Sequence, residues 1–223
     1  MNKHTKFSWG WRDILLLIIT CVPIGVAVVI YQDLPNQMAS HFDLSGNVNG
    51  YMGKFSFIIF MSLLNLFLAF SLKVMPILDP KRANYTKFLD VYELLRFVIV
   101  IFLSGIFMIV LLYNRGYDIS MTTVLFLFLG GLWIIFGNYM GRIRHNYTLG
   151  IRTPWTLASE EVWRRTHRLA APLWVLCGLV MIFSGFFGAA LVPYLLLFSI
   201  AVSIGYPIIY SFLVYRKLDQ GRG

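Results

Sequence analysis

Six blocks of apolar residues constrain this chain more than any other feature. They run Ile14–Tyr31, Phe55–Met75, Phe97–Tyr113, Met121–Met140, Leu173–Phe187 and Leu191–Tyr215. Crossing a hydrocarbon core about 30 Å thick takes about 20 helical residues, with a working range of roughly 17–25. The second, fourth and sixth blocks fit that length. The fifth reaches it if its helix begins earlier, near Arg168, and tilts. A chain in lipid must satisfy its own backbone, which leaves helices or closed barrels. Barrel strands would alternate, and these runs are continuous. The β-branched residues Val26, Val28, Val29 and Ile30 do not argue for strands when the blocks are this long. Composition agrees. The chain is 58% hydrophobic and 13% charged, against about 45–50% and about 25% in a soluble domain. The expected fold is an all-α integral membrane protein with six transmembrane helices.

Charge orients the spans. The formal charge is +9. In a soluble protein this would suggest nucleic acid, but here the positive-inside rule accounts for it and no direct nucleic-acid partner is expected. Lys3, Lys6 and Arg12 precede the first span. Lys73, Lys81, Arg82 and Lys87 flank the second loop, and six arginines between Arg142 and Arg168 follow the fourth span. Arg216, Lys217 and Arg222 close the chain, while the alternate loops hold only Lys54 and Arg115. Both termini are therefore expected in the cytoplasm. The first block has a basic start but no cleavage site after it, so it reads as a retained helix. Cys21 and Cys177 fall inside spans as small buried residues rather than a disulfide or metal framework. Residues 1–90 read as a helix pair with an extracellular loop at 32–54 and an inner loop after it. Residues 91–223 read as a four-helix region with a polar segment at 138–171.

Few polar groups lie within the spans. Glu93 and Arg96 share a helix face at the start of the third span. They read either as a relay or as an interfacial pair with Arg96 reaching the headgroups, and their terminal position favours the latter. Asn65 and Asn138 suit interhelical hydrogen bonds. Pro193 fits a first turn, whereas Pro207 should kink the sixth span, as a hinge or as a packing device.

Two loops carry chemistry. In the outer one, Met38, Ser40, Phe42 and Leu44 alternate with Ala39, His41 and Asp43, which allows a short strand. Gly46 and Asn49-Gly50 supply turn residues. Asp43, Ser45, Asn47 and Asn49 have the spacing of a calcium loop, but the register fails. Counting from Asp43 puts Val48 at the glycine position and Lys54 at the bidentate glutamate position. His41 with Asp43 makes too few ligands for a metal. In the inner loop, Ser159 can cap a helix starting at Glu160. Glu160–Arg164 and Glu161–Arg165 are i,i+4 pairs, so an amphipathic helix lying at the cytoplasmic interface is expected between spans four and five. Ahead of it, the stretch from Asn146 to Thr156 is richer in turn residues than lipid anchoring needs, and Gly150 and Pro154 imply a fixed backbone path. His145 and His167 have no carboxylate at ligand spacing. No nucleophile elbow, zincin motif or phosphate loop occurs. No enzyme activity, cofactor or metal is expected.

The residues Gly137-Asn138-Tyr139, Arg144-His145-Asn146-Tyr147, Gly150 to Leu157 and Glu161 to Arg168 resemble the signature of the SdpI family of bacterial membrane immunity proteins. Leu34-Pro35, His41-Phe42, Gly46, Asn49-Gly50-Tyr51 and Lys54 resemble a domain of unknown function that commonly precedes it. The resemblance implies a multi-pass protein of the bacterial plasma membrane that gives resistance to a secreted, cannibalism-type antimicrobial peptide. It also implies a receptor that holds an ArsR-type autorepressor at the membrane. On that reading His41, Phe42, Asn49, Tyr51 and Lys54 are candidates to face the toxin. Arg144, Asn146, Arg152, Trp155, Trp163, Arg165 and His167 are candidates to dock the regulator. The rival reading is a small transporter or efflux protein for a peptide or lipid, which would need a hydrated midplane cavity.

Overall fold

The computed structural model describes residues 9–186 and 191–221. The sequence leaves only a short turn, Phe187–Ala190, between the fifth and sixth blocks; it lies outside the described residues, as do Lys3, Lys6 and Arg222. Among the described residues, six helices are long and apolar enough to cross a membrane, at the places the apolar blocks mark. They are α1 (Trp11–Val29), α2 (Lys54–Leu78), α3 (Leu89–Asn114), α4 (Met121–Met140), α6 (Glu160–Ser184) and a final span of two helices, α7 (Val192–Ile200) and α8 (Tyr206–Gln220), joined by a π-turn at Ala201–Gly205. Between the first two spans stand β1 (Gln37–Phe42) and β2 (Val48–Gly53), an antiparallel hairpin. A short helix, α5 (Pro154–Ala158), precedes α6.

The amphipathic helix expected between spans four and five is not a separate element. Ser159 does cap a helix at Glu160, its hydroxyl accepting from Val162 N–H at 3.4 Å, but that helix runs unbroken to Ser184. Its polar turns are the first turns of the fifth span. This also explains why the fifth apolar block looked short.

The spans are joined by close backbone contact and by polar plugs. α4 and α6 cross on glycines. A Cβ on Gly130 would lie 2.5 Å from Gly178 O, and one on Gly137 would lie 2.8 Å from Val175 N. Small residues let membrane helices approach like this. Prolines leave carbonyls without a helical donor, and neighbouring spans supply one. Pro207 orphans Ser203 O, which accepts from Trp174 Nε1 at 2.6 Å. Trp133 stacks on Trp174 with ring centroids 5.0 Å apart and donates to Ser203 Oγ at 3.1 Å. Pro76 likewise orphans Leu72 O, and the Tyr92 hydroxyl donates to it.

Arg96 does not extend along the outer surface of its helix. Its side chain is 3% exposed and turns into the α1–α2–α3 interface, where Nη2 meets Asp13 Oδ1 at 2.6 Å and Nη1 meets Glu93 at 3.1 Å. Lys73 completes the group at 2.8 Å from Asp13. A buried guanidinium is tolerable only when carboxylates surround it, and here two do.

Candidate functional site

The bundle has two differently built ends. At one, the hairpin caps α1, α2 and α3. Met38 is fully buried there with Leu34, Phe57 and Phe107. Met38, Ser40 and Phe42 point inward and His41 outward as the strand period requires, but Ala39 is buried too, next to the irregular register at Ala39–His41. The Asn114 side chain behaves like a neighbouring strand: Oδ1 accepts from Ala39 N–H at 2.7 Å and Nδ2 donates to Ala39 O at 3.0 Å. The turn is Asp43–Asn47, with Gly46 at φ +87°, while Asn49 and Gly50 lie inside β2. The calcium-like spacing is an aspartate-capped turn. Asp43 Oδ1 accepts from the N–H groups of Ser45 and Asn47 at 2.8 and 2.9 Å. The hydrogen bonds from Asn47 come first in holding its carboxyl below the ordinary value.

Of the residues expected to face a toxin, His41, Asn49 and Tyr51 are exposed on the hairpin, and the His41 and Asn49 side chains hydrogen-bond each other. Phe42 and Lys54 are half-buried. Phe42 packs edge-on to Tyr113, with centroids 5.0 Å apart. The Lys54 ammonium donates to Tyr31 O and Leu34 O, both at 3.2 Å, and sits over the Tyr31 ring. These two fix the loop, and the other three form its outward surface. A cavity of about 280 Å³ lies between the hairpin and α3–α4, walled by Phe42, Leu44, Val110 and Phe126 with His41 and Asp43 at its side.

At the other end, the 141–159 segment folds into a knot with the α2–α3 loop. Asp79 is its centre. This buried carboxylate accepts from Lys81 N–H at 2.7 Å, Tyr147 N–H at 2.8 Å, the Tyr85 hydroxyl at 2.9 Å and the Thr148 hydroxyl at 3.0 Å. Burial pushes its pKa up, but those hydrogen bonds together outweigh burial and hold it below the ordinary value. Lys81 reaches across to His145 Nδ1 at 2.9 Å, while His145 Nε2 meets Leu157 O at 3.1 Å. His145 is therefore the neutral Nε2–H tautomer. Burial first, then the Lys81 ammonium, lower its pKa.

Trp163 is sandwiched in this knot. Its indole stacks on His167 at 4.0 Å, lies 5.2 Å from His145 and donates to Ile143 O at 2.9 Å. His167 Nδ1 donates to Trp163 O at 2.8 Å, and its Nε2 accepts from Ile151 N–H at 3.0 Å. Every ring nitrogen of both histidines thus has a partner, in Lys81, Leu157, Trp163 and Ile151. The sharp path past them needs Gly150, at φ +112°, where a Cβ would sit 2.4 Å from His167 Nε2. Thr153 caps α5 with Pro154 at its first position, and its hydroxyl meets Ser211 Oγ on α8 at 3.0 Å.

The seven residues expected to dock a regulator therefore divide. Asn146, Trp163 and His167 are at most 2% exposed. They hold the segment's shape, and as buried groups they present no side chain to a visitor. Asn146 caps the turn, its Oδ1 accepting from Thr148 and Leu149 N–H at 2.8 and 2.7 Å. Arg144, Arg152 and Arg165 are exposed, and Trp155 is half-buried against Phe212. Arg152 donates to Tyr147 O at 2.7 Å, and Arg165 pairs with Glu161 at 2.6 Å. Sequence reading missed Asp79, Lys81 and Tyr85. A lone Asp before Pro80 looks like an ordinary turn residue, and only contacts about 70 positions away give it a role.

Residues 142–211 match the SdpI/YfhL protein family, and residues 18–66 match a domain of unknown function, DUF1648. The chain is 26% identical to the Immunity protein SdpI of Bacillus subtilis (strain 168) over 212 residues, 95% of this chain and 99% of that relative. No solved structure matches it.

Proposed function

The chain carries an SdpI/YfhL-family region behind a DUF1648 region, and from that premise we propose that it is an immunity protein of the bacterial plasma membrane, protecting its cell from a secreted antimicrobial peptide. The observation that carries the reading is the end-to-end similarity to an immunity protein, which spans both loops and all six helices. The hairpin is the peptide-facing surface, with His41, Asn49 and Tyr51 presented outward on a frame pinned by Asn114. The opposite end faces the cytoplasm, as its arginines require. There Arg144, Arg152 and Arg165, with the open edge of Trp155, form a basic surface suited to a soluble autorepressor.

The test is survival. A bacterium without its own immunity protein, expressing this chain, is challenged with secreted peptides encoded beside the chain's gene. Survival well above an empty-vector control supports the reading, and survival equal to it overturns the reading. The repressor part is read separately, as recruitment of the neighbouring ArsR-type protein to membranes when peptide is added. Recruitment that is unchanged after Arg144, Arg152 and Arg165 are all replaced by Ala in a folded protein removes it.

A further inference from the structure

The buried charge group between α1, α2 and α3 borders a cavity of about 230 Å³. Two cations, Lys73 and Arg96, line that cavity against one carboxylate, Asp13. Both terminal nitrogens of Arg96 are engaged by Asp13 and Glu93. Its Nε–H is buried and has no acceptor among the described residues. A buried charged donor left open in this way calls for a partner. The rest of the wall is apolar and faces outward: Leu17, Leu66 and Phe70 are 48%, 37% and 57% exposed. Trp9 stands at the cavity's edge. Asp13 lies in the first turn of α1, and Lys73 and Arg96 lie about one and a half to two turns inside the ends of α2 and α3, so the group sits toward the headgroup end of these spans. Tryptophan favours the same level.

We infer that this cavity is a binding site for an anionic phospholipid, its phosphate oxygen accepting from Arg96 Nε and an acyl chain lying on Leu17, Leu66 and Phe70. The open Arg96 Nε–H selects the ligand, since Asp13 and Glu93 already balance the charge of Lys73 and Arg96. The apolar outer wall selects a lipid over a free anion. The site is separate from the hairpin and from the 141–159 segment, so it stands or falls independently of the immunity reading.

Native mass spectrometry of the full chain in mild detergent tests it, with phosphatidylglycerol, diacylglycerol of the same chains and inorganic phosphate as probes. One phosphatidylglycerol is expected to be retained, about tenfold or more tighter than diacylglycerol, the preference that one charged hydrogen bond supplies. Inorganic phosphate is not expected to displace it. Ala69→Phe fills the cavity without touching a charge and is expected to abolish the preference, with unfolding temperature kept. Leu127→Phe, in the lipid-facing groove between α3 and α4, is expected to leave it intact. Should Ala69→Phe fail to fold, Leu17→Trp from the α1 side carries the same expectation. Equal retention of the two lipids, an unchanged preference in the filled variant, or displacement by inorganic phosphate would each overturn the assignment.

Discussion

The hairpin and the 141–159 segment cap opposite ends of the same bundle, and they spend their polar residues in opposite ways. The hairpin buries Met38 and Leu34 and turns His41, Asn49 and Tyr51 outward. The other end buries His145, Asn146, Thr153 and Thr156 of the segment with Trp163 and His167 of α6, and leaves mainly arginines outside. A dense run of His, Trp and Asn therefore does not mark a binding surface by itself. In this chain it marks a piece of irregular backbone beside a membrane, where every N–H and C=O must find a partner. The difference teaches that substitutions should separate the ends: shape is vulnerable at one, recognition at the other.

The sharpest break is expected at Gly150 and Gly46, two of the three described glycines with left-handed backbone. Gly150→Ala forces a Cβ into His167 and should destabilise the protein by about 3 kcal/mol or more. Gly46→Ala in the hairpin meets only the Thr122 hydroxyl, at 2.9 Å, which can swing aside, so about 1–2 kcal/mol is expected. Thermal unfolding in detergent compares them, and equal losses would erase the proposed contrast. Next in size is Asp79→Asn. An amide cannot accept all four hydrogen bonds, and a loss of about 2–3 kcal/mol is expected. Faster amide exchange should follow across 142–158, with none in 37–53.

Acid should divide the ends more gently. The folded form holds His145 neutral, below its ordinary pKa of 6.5, so the unfolded chain takes up the proton first. The stability this group contributes is whole above about pH 6.5 and drains away as pH falls below it. Amide exchange at 142–158 should therefore quicken between pH 7.5 and 5.5, and His145→Gln should reduce that quickening. A hairpin that loosened equally would contradict this.

The spans were legible because length and continuity of apolar residues decide a membrane fold almost alone. The hairpin was legible from the alternation at Met38–Leu44, and of the turn residues read there Gly46 makes the turn while Asn49-Gly50 lies inside β2. Burial was harder to read. Asp13 and Arg96 are 83 positions apart, and a helical pattern gives Arg96 a neighbour only at Glu93. Trp163 looked like a docking residue because composition cannot show that His145 and His167 both pack against its indole. The start of α6 was misread for a related reason: charged turns at the head of a span look the same in sequence as a separate surface helix.

The smallest structural effect, and the most telling functional one, belongs to the hairpin face. His41→Ala, Asn49→Ala and Tyr51→Ala together should change stability little, about 0.5 kcal/mol per exposed site at most. The direct measurement is survival of peptide-challenged cells carrying this triple variant, at a membrane level matched to the unaltered chain. Protection is predicted to be lost while the protein stays folded. Full protection by the folded triple variant would contradict the assignment of the hairpin as the surface that meets the peptide.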